Sequence, residues 1–130
     1  MIVGGYLEAD GYEVTRLGNF GQPKVTSDQP DHVLNNRITR VIDKRDVVPM
    51  LPPPGTPPSY HHLGPEVILR DGKEYVFLDK HDSDRLSVAN FWREISNASL
   101  KDHEMAHYLA NIQGKIAGGA RQVPYLVHGQ

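Results

Sequence analysis

The sequence has no cysteine, no long apolar segment and no large excess of charge of either sign. The absence of cysteine excludes disulfide bonds and thiol chemistry, and it suits a reducing compartment such as the cytoplasm. A net charge of −2 predicts no basic surface for nucleic acid or for an anionic membrane. No apolar run approaches the roughly 20 residues of a membrane-spanning helix, and the first ten residues lack the basic segment of a signal peptide.

The distribution of apolar residues predicts one α/β domain. At 130 residues the chain can bury a moderate core, and a hydrophobic content of 38% against 23% charged residues predicts a folded chain. Residues 1–10 are typical of the end of a helix that stops at Gly11, and the apolar runs at residues 13–20 and 37–42 predict strands. A short helix at residues 27–36 would connect these two strands in parallel.

The second half of the chain predicts a hairpin followed by two helices. The strand-like runs at residues 62–69 and 73–79 are separated by Arg-Asp-Gly, and an Asp-Gly pair is a strong hairpin signal. After a polar loop at residues 79–85, apolar residues recur at helical spacing in residues 87–96 and again in a last helix that begins near residue 99. The buried side of that last helix is predicted to consist of four residues: Met105, Tyr108, Leu109 and Ile112.

Asp46 is the first candidate functional residue because of its place in the predicted sheet. It follows the strand at residues 37–42 and begins a loop that is stiffened by four prolines between residues 49 and 54. Functional residues of open α/β sheets gather beyond the carboxyl ends of strands. A carboxylate held there is well placed to orient a histidine, although an ordinary turn aspartate before a proline-rich loop has the same pattern.

Three motifs occur in an order that resembles the class 3 lipases, the fungal-lipase-like branch of the α/β-hydrolase fold. They are Phe-Gly-Gln-Pro-Lys-Val at residues 20–25, Asp-Val-Val-Pro-Met-Leu-Pro at residues 46–52 and Tyr-His-His at residues 60–62. The resemblance covers residues 4–113. It implies a partial α/β-hydrolase fold, the C-terminal part, with parallel strands, crossover helices and a hairpin at the end of the sheet.

The resemblance also sets the expected domain limits. Residues 1–116 would form the C-terminal portion of a lipase-like domain. Residues 117–130, which are punctuated by glycine and proline, would form a loose tail.

The same resemblance implies roles for individual residues. It makes Asp46 the aspartate of a Ser-Asp-His triad and His62 a buried, hydrogen-bonded histidine outside the triad. The segment Asp-His-Glu-Met-Ala-His-Tyr at residues 102–108 matches the family's Asp-His-x-Met-x-x-Tyr, which carries the triad histidine. His103 would then be the general base, with its ring held by Asp46, in the chain order Ser, Asp, His of the α/β-hydrolases.

The histidines of this segment also fit a second chemistry. The pattern His-Glu-x-x-His at residues 103–107 is that of the zincins, in which two histidines one helical turn apart bind zinc and the glutamate activates water. Such sites need a third protein ligand, but no aspartate or glutamate follows Glu104, and His128 is the remaining candidate. An exposed histidine in the first turn of a helix is the third interpretation of His103. We predict no metal and no other cofactor.

The serine that the triad requires has no counterpart in the sequence. None of the six serines has small residues two positions away on both sides, as the Gly-x-Ser-x-Gly nucleophile elbow requires. In the family the elbow precedes a helix like the one predicted at residues 1–10. The resemblance therefore implies the later part of a triacylglycerol or acyl-ester hydrolase, which would be inactive alone.

Two other functions stay open on the sequence alone. A chain of this fold without a nucleophile can be a non-catalytic binding or assembly module, and a zinc hydrolase on His103 and His107 is the third hypothesis. The expected ligand of the complete enzyme is a lipid or acyl ester. The strand at residues 13–20 would have an open edge, so the expected partner is the missing N-terminal half or a second copy of the chain.

Overall fold

A five-stranded, mostly parallel sheet with helices makes up the part of the chain that the structure describes. This computed structural model describes residues 2–27, 36–53, 55–83, 86 and 103–125. The strands are β1 (Leu17–Phe20), β2 (Ile38–Asp43), β3 (Glu66–Leu69), β4 (Glu74–Leu78) and β5 (Arg121–Gln122). The helices are α1 (Ile2–Ala9) and α2 (Met105–Gly118), a 3₁₀ turn spans Val48–Met50, and residues 80–83 are also helical.

The strands lie in the sheet in the order in which they follow along the chain. β1 is parallel to β2 and β2 is parallel to β3, with Leu17 opposite Ile38 and Arg40 opposite Glu66. β3 and β4 are antiparallel and are joined by a tight turn in which Gly72 has a φ of 61°. The predicted α/β class and the predicted hairpin are thus confirmed, and the carboxyl ends of β1, β2 and β3 lie on the same side of the sheet.

One face of the sheet carries the apolar core. Its buried cluster consists of five residues, against which Val123 and Tyr125 pack: Ile42, Ile68, Val76, Leu78 and Leu86. The same face buries Arg40, whose Nη2 lies 3.4 Å from Glu66 Oε2 and donates to Ser83 Oγ at 2.5 Å. Ser83 donates in turn to Glu66. This polar group ties β2 and β3 to the helical residues 80–83.

Helix α1 lies against the start of β1. Gly4 approaches Leu17 so closely that a Cβ at position 4 would lie 2.7 Å from a Leu17 methyl carbon. The helix ends as predicted at Gly11, whose φ of 86° favours glycine. Arg37 contacts Glu8 of α1 and donates to the carbonyl of Val14 at 2.9 Å, so it fastens the helix and the following loop to the start of β2.

Two sequence predictions need correction. Residues 80–83, expected to form a polar loop, are helical because Asp79 Oδ1 accepts the Asp82 N–H at 2.8 Å and so caps the turn. The loose tail expected at residues 117–130 does not begin there. Helix α2 runs to Gly118, and β5 pairs with β4 through the Arg121 N–H and the Lys73 carbonyl at 2.8 Å.

Some predictions fall on parts of the chain that lie outside the described residues. These are the interior of the helix expected at residues 27–36, the helix expected at residues 87–96 and the capping segment at residues 99–102. Within the described residues, no helix has the length and apolar character needed to cross a membrane.

Candidate functional site

The two residues assigned to the triad, 57 positions apart in the chain, contact each other. Nδ1 of His103 lies 2.9 Å from Oδ2 of Asp46. The Asp46 side chain has no exposed surface, whereas 41% of the His103 side chain is exposed. A buried carboxylate therefore holds an imidazole that reaches the protein surface.

The loop after β2 positions Asp46 through its own backbone. The Asp46 N–H donates to the carbonyl of Asp43 at 3.1 Å, and Asp46 Oδ1 accepts the Val48 N–H at 2.9 Å. These bonds turn the chain directly into the 3₁₀ turn at Val48–Met50. Because Oδ1 is used by the loop, Oδ2 is the oxygen that receives side-chain donors.

The other two motifs of the sequence hold this loop from outside. His62 Nε2 donates to the carbonyl of Pro49 at 2.7 Å. Lys24 Nζ donates to the carbonyls of Met50 and Pro52, both at 3.1 Å. Three segments that are separate in the chain thus converge on the loop that carries the candidate carboxylate.

His62 is a structural histidine, as predicted. It is 7% exposed, and burial, followed by the charge of Arg40, lowers its pKa from 6.5 to about 3. The ring is therefore neutral near pH 7, and since a carbonyl only accepts, Nε2 carries the proton of the bond to Pro49. Its contribution is to brace the loop rather than to exchange protons.

Tyr108 is a second side-chain donor to the candidate carboxylate. Its hydroxyl donates to Asp46 Oδ2 at 2.6 Å and accepts the Asp43 N–H at 3.0 Å. Burial and the hydrogen bond to Asp46 raise the pKa of Tyr108, so the hydroxyl stays protonated and keeps donating. Its ring packs edge-on against Phe20, with centroids 6.2 Å apart. The hydrophobic periodicity indicated that Tyr108 is buried but gave no sign of this hydrogen-bonding role.

Gly21, directly after β1, lies against both members of the pair. Its φ is 58°, and a Cβ at this position would lie 2.8 Å from Asp46 Oδ2 and 2.9 Å from His103 Nδ1. Distances below 3 Å are too short for a carbon atom at this place, so the end of β1 reaches the pair only because residue 21 has no side chain. The site therefore requires glycine at the second position of the Phe-Gly-Gln-Pro motif, because a side chain there would clash with Asp46 and His103.

A second imidazole–carboxylate pair lies beside the first. His107 Nε2 is 3.2 Å from Oδ2 of Asp43, and Asn111 Nδ2 donates to the same oxygen at 2.8 Å. The Asp43 side chain is 3% exposed and that of His107 is 36% exposed. This pair connects the end of β2 to the first two turns of α2.

Lys115 makes further hydrogen bonds between α2 and the β3–β4 hairpin, two turns along the helix from His107. Its Nζ donates to Asn111 Oδ1 at 2.6 Å and to the hairpin carbonyls of Arg70 and Gly72 at 2.5 and 2.8 Å. We call the side of α2 that faces the sheet its inner face, and its members are four polar residues: His107, Tyr108, Asn111 and Lys115.

The polar inner face contradicts the prediction that apolar residues form the buried side of the last helix. α2 begins at Met105, so His103 lies just before it, and Glu104 at the N-cap makes no side-chain capping bond. Tyr108 is buried as predicted, but Met105 and Leu109 are 59% and 56% exposed. The physical reason is the surface that α2 meets, because strand-end carboxylates and hairpin carbonyls require polar partners.

The arrangement of the two histidines differs from a zincin pair. His103 and His107 contact separate carboxylates, and His103 lies outside the helix. Among the described residues, the side chains close enough together to offer three metal ligands are those of Asp79, His81 and Asp82, near the surface. His128 lies outside the described residues.

The geometry defines what His103 is able to do. Because an ionised carboxylate only accepts, the bond to Asp46 places the proton of the neutral ring on Nδ1. Nε2, the outer nitrogen, has no hydrogen-bond partner within the described residues, and its lone pair is available to take a proton. No described serine contacts His103, and Ser83 bonds to Arg40 and Glu66.

Comparisons with known proteins add no assignment. No family model matches the chain, and no curated protein or solved structure matches it either. A fold alone does not determine a function, so the chemistry of the site is what indicates one.

Proposed function

We propose that this chain is the later part of a class 3 lipase-like ester hydrolase, a partial α/β-hydrolase domain that supplies Asp46 and His103 to a Ser-Asp-His triad. The contact between a fully buried carboxylate and a surface-reaching imidazole carries the proposal. Its support is that the Phe-Gly, Asp-Val-Val-Pro and Tyr-His-His segments all contact this one pair or its loop.

The proposed reaction is acyl transfer from an ester to a serine and then to water. His103 Nε2 takes the proton of a serine hydroxyl while the serine oxygen attacks the ester carbonyl, and Asp46 stabilises the imidazolium that forms. The imidazolium gives this proton to the leaving alcohol, which leaves an acyl-serine. Water then attacks the acyl group with His103 again as the base, which releases the acid and restores the serine.

The serine would come from a segment that pairs with the outer edge of β1. β1 is the end strand of the described sheet, and the N–H groups of Leu17 and of Gly21, which follows β1, bond to the carbonyls of Arg37 and Val41 on the β2 side. In a parallel ladder the backbone groups of the alternate residues, Gly18 and Phe20, then point outward. A parallel strand added at that edge would end beside Gly21, next to the His103 ring.

The exposed side of α1 supports a polypeptide partner at the same place. Val3 and Tyr6, one helical turn apart, are 68% and 70% exposed, and Gly4 packs on β1. An open strand edge with an apolar helix face beside it is typical of a surface that another part of a protein covers.

The test is to read the DNA directly upstream of the Met1 codon and to express the protein with any in-frame extension. The 130-residue chain alone should hydrolyse p-nitrophenyl butyrate about 10⁶-fold more slowly than the extended protein, since a missing nucleophile costs about that factor. His103→Ala should abolish the activity of the extended protein.

His107→Ala is the matched control, because His107 also pairs with a buried carboxylate and has a similar exposure. It should retain most of the activity. An upstream sequence without a serine elbow would favour the non-catalytic module, and ester hydrolysis that survives His103→Ala would show that the site is elsewhere.

A further inference from the structure

The sequence contains two Asp–Gly pairs, at residues 10–11 and 71–72, and no Asn–Gly pair. Aspartate isomerises most readily before glycine, because a glycine nitrogen approaches the aspartate carboxyl carbon without hindrance from a side chain. All four residues are exposed, and a Cβ at either glycine would meet nothing within 4 Å. Steric access is therefore the same at both pairs, and any difference between them comes from hydrogen bonds and charge.

The first pair is held by the hydrogen bonds that end α1. The Gly11 N–H donates to the carbonyl of Glu8 at 3.0 Å. The next N–H, that of Tyr12, donates to the carbonyl of Leu7 at 2.9 Å. Attack by the Gly11 nitrogen on the Asp10 side chain requires this part of the backbone to rotate, which breaks both bonds.

The second pair lies in the turn between β3 and β4, and its glycine nitrogen is not held in this way. The Gly72 N–H has no acceptor among the described residues. The bond that closes this turn, from the Glu74 N–H to the Asp71 carbonyl, is long at 3.5 Å. The Asp71 side chain is 77% exposed, so its carboxyl carbon is open to the Gly72 nitrogen.

Lys44 acts in the opposite direction. Its Nζ donates to Asp71 Oδ2, and this hydrogen bond lowers the pKa of the Asp71 carboxyl. Ring closure expels the hydroxyl of a protonated carboxyl as water, so an ionised carboxylate reacts more slowly. An exposed ion pair changes such a rate by a factor of about two to five, whereas the release of two backbone hydrogen bonds costs a factor of roughly 5 to 100. The bonds at Gly11 therefore outweigh the ion pair at Asp71.

We propose that the β3–β4 turn is a modification site, at which Asp71 isomerises spontaneously to isoaspartate in the folded chain. The Gly72 nitrogen bonds to Asp71 Cγ and loses its proton, while the carboxyl C–O bond breaks and water leaves. This step gives a five-membered succinimide. Water then adds to the backbone carbonyl carbon of Asp71 and breaks its bond to the Gly72 nitrogen, which regains a proton. The backbone now runs through Cγ, the former backbone carbon is a free carboxylate, and the mass is unchanged.

The modified bond lies where α2 is bonded to the hairpin. The buried Lys115 Nζ donates to the carbonyls of Arg70 and Gly72, which lie on either side of Asp71. Isoaspartate adds one carbon atom to the backbone between these two carbonyls, so their spacing no longer fits one ammonium group. The isomerised chain should therefore hold α2 less firmly and unfold at a lower temperature.

The test incubates the folded chain in water labelled with ¹⁸O and compares proteolytic peptides that contain position 71 or position 10. Each succinimide that opens takes up one ¹⁸O, and an isoaspartyl methyltransferase labels the isomerised residue. Position 71 should isomerise at least about fivefold faster than position 10. In urea, where both sites lose their hydrogen bonds, the two rates should become similar. Equal rates in the folded chain, or a difference that persists in urea, would overturn the proposal.

Two charge substitutions in the same part of the sheet test the role of the ion pair. Lys44→Gln should raise the rate at position 71 about two- to fivefold and leave position 10 unchanged. Arg121→Gln is the matched control, because it removes the exposed ion pair with Glu74 and leaves the one at Asp71 in place. It should isomerise like the unsubstituted chain. An unchanged rate in Lys44→Gln would contradict the protection assigned to Lys44.

The consequence for α2 is measured on the isomerised chain after its separation by chromatography. Thermal unfolding followed by circular dichroism should show a lower midpoint than that of the unmodified chain, and an equal midpoint would contradict the loss of the Lys115 bonds. Asp71→Glu keeps the charge beside Lys44 but forms no five-membered ring. Methylation at position 71 should therefore disappear in this variant and persist at its low level at position 10.

Discussion

Two imidazole–carboxylate pairs lie side by side at the carboxyl end of β2, and they use opposite nitrogens of their rings. His103 contacts Asp46 through Nδ1 at 2.9 Å, whereas His107 contacts Asp43 through Nε2 at 3.2 Å. Nε2 is the outer nitrogen of a histidine, so the first pair leaves it for an external group and the second uses it internally. The same residue types thus give one pair suited to proton transfer and one that fastens α2 to the sheet.

The two carboxylates also differ in their donors. Asp46 receives the buried Tyr108 hydroxyl and the Val48 backbone N–H in addition to His103. Asp43 receives the Arg45 backbone N–H at 3.3 Å and Asn111, a half-buried side chain, in addition to His107. Tyr108 connects the pairs, since its hydroxyl accepts the backbone N–H of Asp43, the last residue of β2, and donates to Asp46. Tyr108 therefore contacts the carboxylate of the first pair and the backbone of the aspartate of the second.

Removing each carboxylate in turn should have the largest effect. Asp46→Ala leaves the buried Tyr108 hydroxyl and the Val48 N–H without their acceptor, so we expect the free energy of unfolding to fall by about 3 kcal/mol. Asp43→Ala affects His107, Asn111 and the Arg45 N–H. The two side chains lie partly at the surface and Arg45 is exposed, so all three can bond to water and we expect a loss of about 1 kcal/mol. Urea denaturation of both variants measures the difference.

Asp46→Asn is the control for the lost acceptor. It keeps one oxygen in nearly the same place, so it should be more stable than Asp46→Ala. Equal losses in the two alanine variants would show that the two pairs are energetically equivalent, contrary to the difference in their donors.

A smaller effect should come from acid, through the loop that carries Asp46. His62 has a pKa of about 3 in the folded chain, lowered by burial from 6.5. Between these values the unfolded chain binds a proton that the folded chain does not, so the free energy of unfolding decreases as the pH falls. The slope is at most about 1.4 kcal/mol per pH unit, which amounts to about 2 kcal/mol between pH 7 and pH 4.5.

His62→Gln isolates this contribution, because it removes the titrating ring and keeps an amide near Pro49. Urea denaturation at pH 7, 6, 5.5 and 4.5 should show a shallower pH dependence in this variant than in the unsubstituted chain. Since the two proteins share every other side chain, only the difference in slope reports on His62. Identical slopes would show that His62 binds its proton equally in the folded and the unfolded chain, contrary to a lowered pKa.

Local sequence patterns predicted the helices, strands and turns whose stabilising contacts are close in sequence. The helix that stops at Gly11, the strand before Asp46 and the Asp-Gly hairpin follow from turn chemistry and β-branched runs. The approach of Asp46 to His103 followed from the order of the motifs, because no local signal connects residues 57 positions apart.

The features that were missed depend on partners that a pattern does not contain. Apolar spacing predicted Met105 and Leu109 inside, but α2 meets Asp43 and hairpin carbonyls, so its polar side faces inward. β5 has two residues and exists through its pairing with the edge of β4. The capping role of Asp79 has a local signal, an aspartate at the start of a polar turn, but that signal is equally typical of a loop.

The smallest expected effect concerns which ring nitrogen of each histidine carries the proton. It tests the difference between the two imidazole–carboxylate pairs most directly. In mildly alkaline solution we expect His103 in the Nδ1–H form and His107 in the Nε2–H form, because each carboxylate accepts from the nitrogen that contacts it. Two-bond ¹H–¹⁵N NMR correlations of the imidazole rings distinguish these forms. The same form for both histidines would contradict the opposite use of the two rings.

Gly21→Ala should disturb the His103–Asp46 pair and leave the His107–Asp43 pair intact. Gly21 and Gly72 have nearly the same φ, 58° and 61°, so alanine at either position causes a similar backbone strain of about 1–2 kcal/mol. A Cβ at position 21 meets Asp46 and His103 within 3 Å, whereas a Cβ at position 72 meets nothing within 4 Å. His103 should lose its Nδ1–H preference in Gly21→Ala and keep it in Gly72→Ala, and His107 should be unchanged in both. A loss at His107 as well would mean that the two pairs move as one unit through Tyr108.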